Sequence, residues 1–130
     1  MPIFITTYTN PRIKEEIIQT VGSSFSFWQR LKFKGIGSPR MIIEERDPFF
    51  DEYTNPHHYL TYANFELRPK GIIIHIHKTL QNFNWALPYG TFDLERTTDR
   101  LIVHAEDKFL AFRDGQQLAA DFINKVQIFT

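Results

Sequence analysis

The chain has no cysteine, which excludes a disulfide framework, a thiolate metal centre and a cysteine nucleophile together. Net charge is missing as well: 15 Lys and Arg stand against 15 Asp and Glu, so the total lacks the positive field of a nucleic-acid binder, and no nucleic-acid partner is expected. The most apolar run, Ile72-Ile73-Ile74, stops at His75, far short of the ~20 residues of a membrane-spanning helix. Met1 to Thr7 hold no basic segment followed by an apolar one. No export signal is expected there, and the expected location is the cytoplasm. Enzyme signatures are absent too. Gly35-Ile36-Gly37 lacks the helix-opening glycine of a dinucleotide loop, and neither a Walker lysine nor a Gly-x-Ser-x-Gly elbow occurs. Asp93 and Glu95 share a strand face between Phe92 and Leu94, which reads as the solvent side of a strand and not as an acid–base pair.

What is present is one domain's worth of chain, residues 1–130, rich in phenylalanine and long enough to hold a core without staples. Its neutrality is a sum of unequal parts. Residues 1–40 carry six bases and two acids, residues 41–56 one base and five acids, and the remaining 74 residues balance at eight and eight. Opposed blocks of this kind predict solvated faces that meet each other, or an oriented binding surface.

Asn10-Pro11 has the form of an N-cap and a first-turn proline, and Ile13, Ile17 and Val21 follow at helical spacing up to Gly22. One amphipathic helix is predicted from Pro11 to about Val21, closing an N-terminal extension over 1–22. From Ser24 the period becomes two. Phe25, Phe27, Leu31 and Phe33 alternate with Ser24, Ser26, Arg30, Lys32 and Lys34, which predicts a half-buried strand. Met41-Ile42-Ile43 predicts a second strand. Asp47 to His58, with two prolines and no period, is the one long loop.

Strands then follow with tight turns between them: 62–68, 72–78, 81–87, 92–96, 101–105 and 109–112. The expected inward set is Phe65, Leu67, Ile72, Ile74, Ile76, Phe83, Trp85, Leu87, Phe92, Leu94, Leu101 and Val103, with Ile73, His75 and His77 on the solvent side. Gln116 to about 127 completes the chain as a helix whose apolar stripe is Leu118, Ala119, Phe122, Ile123 and Val126. The fold class is α+β: an antiparallel meander of about seven strands over 24–113, with a C-terminal helix over 116–127.

Glu66-Leu67-Arg68-Pro69-Lys70-Gly71-Ile72, then Trp85-Ala86-Leu87-Pro88-Tyr89-Gly90-Thr91-Phe92, and the closing hairpin from Leu101 to Phe112 followed by Leu118 to Val126, resemble bacterial pleckstrin-homology-like domains. The resemblance covers about residues 60–128 and rests on loose patterns. It implies a barrel of short strands with the C-terminal helix plugging one open end. The N-terminal helix is an addition to that pattern, fit to cover a sheet edge or build a dimer contact. Such barrels host lipid binders, peptide binders and assembly modules, so the resemblance implies a scaffold and not one ligand.

Three constellations carry chemistry. Lys32, Lys34 and Arg40 bracket a strand–loop–strand step where, by the resemblance, pleckstrin-homology domains hold phosphoinositide headgroups, although the chain then turns to Met41-Ile42-Ile43-Glu44-Glu45. Phe49, Phe50 and Tyr53 sit beside Asp51 and Glu52 on the long loop, either as anchors for a partner or folded back over the end of the strands. His75 and His77 share a strand face at a spacing that can ligate one metal, with His104 as a third nitrogen; His57 and His58 read as surface residues. A core that already claims Ile72, Ile74 and Ile76 weighs against the metal centre and the small hydrolase it would make. The expectation is a non-enzymatic binding or assembly module without cofactor. It recognises a protein partner or its own second copy through a sheet edge or the loops, with an anionic membrane surface ranked below a protein.

Overall fold

The computed structural model describes residues 3–8, 10–56, 59–114 and 120–129. In chain order these form β1 (Ile3–Ile5), α1 (Pro11–Val21), α2 (Phe27–Lys32), β2 (Met41–Arg46), a 3-10 helix (Pro48–Tyr53), β3 (Tyr62–Arg68), β4 (Gly71–Lys78), β5 (Gln81–Pro88), β6 (Phe92–Arg96), β7 (Arg100–Ala105), β8 (Lys108–Arg113) and α3 (Ala120–Phe129).

The helix α1 begins and ends where the pattern puts it. Asn10 accepts from the backbone N–H groups of Arg12 and Ile13, and Gly22 closes the helix at a positive φ of 89°. The strands make one antiparallel sheet of eight, ordered β1-β5-β4-β3-β2-β8-β7-β6. Two meanders, β3-β4-β5 and β6-β7-β8, are joined through β2, which pairs with β3 at only Met41 and Ile42 and with β8 across a register shift between Ile43 and Glu45. Such an irregularity bends a strand and lets the sheet wrap. Among the described residues the wrap stays open: β1 pairs only with β5 and β6 only with β7, so the closed barrel that was expected is not formed. The first edge strand, Ile3–Ile5, is an element that period and turn signals had not marked.

The predicted inward set packs together, with Phe65, Leu67, Ile72, Ile74, Ile76, Trp85, Leu87, Leu101 and Val103 fully buried and Phe83 nearly so. Phe92 and Leu94 are half-buried because β6 is an edge strand. The helix α3 lies against this core through Phe122, Ile123 and Val126, with the Phe122 ring 5.4 Å from that of Phe65. It runs on to Phe129, which stacks on Tyr89. The expected start of this helix, 116–119 with Leu118 and Ala119, lies outside the described residues.

One expectation about the sheet's other face is overturned. Ile73, placed on the solvent side with His75 and His77, is 0% exposed, because Ile17 and Val21 of α1 cover it together with Ala86. The added helix is therefore a lid on the outer face of β4 and β5. Each fully buried aliphatic side chain in that contact contributes about 1.5–3 kcal/mol.

Candidate functional site

The predicted strand over 24–34 is instead a helix with flanks. Ser26 Oγ accepts from the Gln29 backbone N–H at 3.3 Å, and Gln29 Oε1 accepts from the Ser26 N–H at 3.0 Å, a reciprocal capping box. At the other end Lys34 takes a left-handed φ of 57°, its N–H donating to Leu31 O and the Gly35 N–H to Arg30 O. That is a Schellman closure. Six residues fixed at both ends outcompete a strand whose alternation is broken by the adjacent pair Phe27-Trp28.

The flanks hold the helix down while its middle faces out. Phe25 is buried, its ring 5.1 Å from Phe33 and 5.8 Å from Phe129, and Phe33 lies 5.5 Å from Phe129. Lys125 of α3 donates to the carbonyl oxygens of Lys34 and Gly35. Above this anchor Phe27, Trp28 and Leu31 are 66%, 76% and 56% exposed, with the Phe27 and Trp28 rings edge to face at 5.5 Å. Three large apolar side chains on six exposed helical residues form a ridge that burial elsewhere does not explain. Arg30, Lys32 and Lys34 lie alongside, and no acid occurs between Glu16 and Glu44.

The predicted basic cluster is thus rearranged. Lys32 occupies the last turn of α2 and Lys34 the closure after it, so they do not share a strand face. Arg40 lies on the connection into β2, its guanidinium 4.6 Å above the Tyr62 ring. Of the aromatic trio, Phe50 is a core residue: it is 0% exposed and its ring lies 4.8 Å from Trp85. Phe49 and Tyr53 are half-buried against the same core, with Tyr53 edge to face on Phe83 at 5.1 Å. What looked like an aperiodic loop is a 3-10 helix started by Asp47, which accepts from the Phe49 N–H, and by Pro48 at the first helical position. Folding back over the core has absorbed the trio, and burial pushes the Tyr53 phenol up, with Glu52 adding to the shift.

The three histidines do not come together. His75 and His77 lie on β4 and His104 on β7, with β3, β2 and β8 between them in the sheet. Each is tied to its neighbours: His75 Nε2 to Glu66 at 2.8 Å, His77 to Asn64 at 2.7 Å and Asn82 at 3.0 Å, and His104 to Glu95 at 3.0 Å. Among the described residues no three metal-ligating side chains gather. His57 and His58 lie outside the described residues. Burial raises the Glu66 carboxyl, yet the His75 hydrogen bond and the Arg68 charge outweigh it and hold Glu66 below the usual carboxylate range. Arg68 also donates to the Gly22 carbonyl, so this polar chain fastens the end of α1 to the sheet.

Beside α1 runs an open groove of about 480 Å³, with Lys14, Arg68, Asn84 and Ser23 among its polar walls and Ile13 and Ile17 on its floor. No helix among the described residues is long and apolar enough to cross a membrane. Set against models of protein families, curated proteins and solved structures, the chain matches none of them.

The residues that the strand reading placed on the wrong side are Phe27 and Leu31, and Trp28 it assigned to neither face. The signal was present as Ser26-x-x-Gln29, a capping box that a count of alternation passes over.

Proposed function

We propose that the chain is a non-enzymatic binding module whose α2 ridge docks a protein partner, built on a pleckstrin-homology-like scaffold. The scaffold reading is supported by the two meanders joined through β2 and by the helix that follows the last strand. The observation that carries the function is the exposure of Phe27, Trp28 and Leu31 on a helix capped at both ends and anchored beneath. A rigid aromatic ridge loses little conformational entropy on binding and is the commonest kind of interface anchor. The neighbouring Arg30, Lys32 and Lys34 suit a partner whose rim is acidic.

Photo-crosslinking tests this in cells that express the protein. A photoreactive side chain at position 28 traps one discrete protein product, and the same group at Gln19, exposed on α1, does not. Equal products at both positions, or none at 28, would overturn the reading. The second reading, anionic lipid headgroups held by Lys32, Lys34 and Arg40, is favoured by the acid-free stretch from 17 to 43. It is separated by Trp28 fluorescence, because the other tryptophan, Trp85, is fully buried. A blue shift on adding phosphatidylserine vesicles, absent with phosphatidylcholine ones, selects the lipid.

A further inference from the structure

The edge strand β6 is built from other residues than the α2 ridge. Its five residues pair with β7 in unbroken register, and among the described residues no other strand pairs with β6. Exposed edges are blunted by proline, a bulge or charge, most often lysine; Phe92–Arg96 has no proline, lysine or bulge, and its protection is the charge of Asp93, Glu95 and Arg96, which a basic peptide would answer at the two acids. Phe92 and Leu94 turn inward and Asp93 and Glu95 outward. On the inward side a groove of about 320 Å³ separates β6 from α3, walled by Phe92, Leu94, Ile123 and Val126, with Asp93 and Gln127 also lining it. On the outward side a second hollow of about 450 Å³ is lined by Asp93, Glu106 and Asp107 together with His104 and Lys108. Lys108 is itself engaged there, donating to the Glu106 carbonyl and standing 4.7 Å over the Phe49 ring.

We infer that β6 and the α3 groove take an extended peptide of alternating apolar and basic residues as an added strand. Main-chain hydrogen bonds to an open edge supply affinity, and the alternate side chains supply specificity. Here one set enters the apolar groove while the other meets the carboxylates of Asp93, Glu106 and Asp107. A second copy of the chain is a poor occupant. Two-fold antiparallel pairing centred on Leu94 sets Asp93 against Glu95, and centring on either acid sets it against itself, so every register that pairs more than the end residue of β6 with itself opposes carboxylates.

The test uses the full chain and two labelled peptides, one alternating Lys with Val and one alternating Glu with Val, with fluorescence anisotropy at low salt. Expected are a preference of about tenfold or more for the Lys peptide and slowed amide exchange within Phe92–Arg96 when it binds. The exposed double variant Asp93→Lys/Glu95→Lys reverses the preference while its melting temperature stays near that of the parent. Asp107→Lys, on the neighbouring turn, weakens the Lys peptide without reversing it. Equal binding of the two peptides, binding that leaves the β6 amides unprotected, no binding of either, or a preference unmoved in a folded double variant would each overturn the inference.

Discussion

Arg100 of β7 reaches over β8 to Glu44 of β2, its Nη2 2.6 Å and its Nε 2.8 Å from the same carboxylate oxygen. The other oxygen of Glu44 accepts from Arg113 of β8 at 2.8 Å, and Arg100 Nη1 lies 3.0 Å from Glu45. One carboxylate thus ties together three strands beside the register shift of β2, where ladder hydrogen bonds are interrupted. The Arg113 bond first, and then Arg100, hold the Glu44 carboxyl below its ordinary 4.5. A group whose folded pKa is depressed stabilises the fold above its unfolded value and loses that contribution as pH falls through the folded one. Glu44→Gln is therefore expected to lower stability at neutral pH and to flatten the further loss on acidification below 4.5. Urea unfolding at neutral and acid pH measures both. Parallel acid losses in parent and variant would remove Glu44 from the acid response and leave it to Glu66.

Phe50 and Trp28 are both aromatic and both next to a second aromatic residue, Phe49 and Phe27, yet the structure separates them completely. Removing the Phe50 ring leaves a void beside Trp85, at a cost of about 3–5 kcal/mol. Trp28→Ala removes a solvated side chain, so its effect on stability lies within about ±0.5 kcal/mol. Thermal unfolding of the two variants gives opposite answers if the assignment were reversed.

The same pair shows what was legible in the sequence. A strand buried on one face writes its period of two directly into the residues, so Phe65, Leu67, Ile72, Ile74, Ile76, Phe83, Trp85, Leu87, Leu101 and Val103 are legible as core from their alternation. A helix of six residues barely completes a period, and around α2 its anchors Phe25 and Phe33 keep strand parity with Phe27 and Leu31. Local alternation therefore favoured the wrong element, and only capping chemistry distinguishes the two. The charge blocks misled in a similar way. Glu44 and Glu45 are answered by Arg100 and Arg113 from the evenly charged remainder, and Arg46 by Asp51 inside its own block, with N–O separations of 3.0 Å or less. Sequence distance carries no information about which strand lies next to β2. Ile73 was misplaced for a third reason, since a face reads as solvent-exposed until the helix that covers it is known to dock there.

Docking of α1 can be tested at Gly71. A Cβ there would overlap the Leu87 carbonyl oxygen and meet Val21 Cγ1 at 2.8 Å, so the close approach of β4, β5 and α1 depends on a missing side chain. Neither obstacle is the free end of a flexible side chain. Gly71→Ala is expected to cost about 1–3 kcal/mol, the usual range for overpacking. Hydrogen exchange should show the loss concentrated in α1 and the β4–β5 pairing, with β6 to β8 protected as before. A uniform loss would mean that α1 is not a separate lid.

The closures of α2 make opposite predictions at its two ends. Ser26→Ala removes the side chain that accepts from the Gln29 N–H, and an N-cap of this kind contributes about 1 kcal/mol. At the far end Lys34 is a non-glycine residue at a φ of 57°. The left-handed region costs such a residue roughly 1–2 kcal/mol, against about 0.5–1 kcal/mol for glycine's extra chain entropy. Lys34→Gly is therefore expected to leave stability unchanged or to raise it by up to about 1.5 kcal/mol. Because it also deletes a charge, it separates geometry from binding: the trapped product at position 28 should persist in Lys34→Gly and weaken in Ser26→Ala, where the ridge frays. Loss of the product in Lys34→Gly alone, with the helix intact by hydrogen exchange, would shift the binding from the apolar ridge to the lysine beside it.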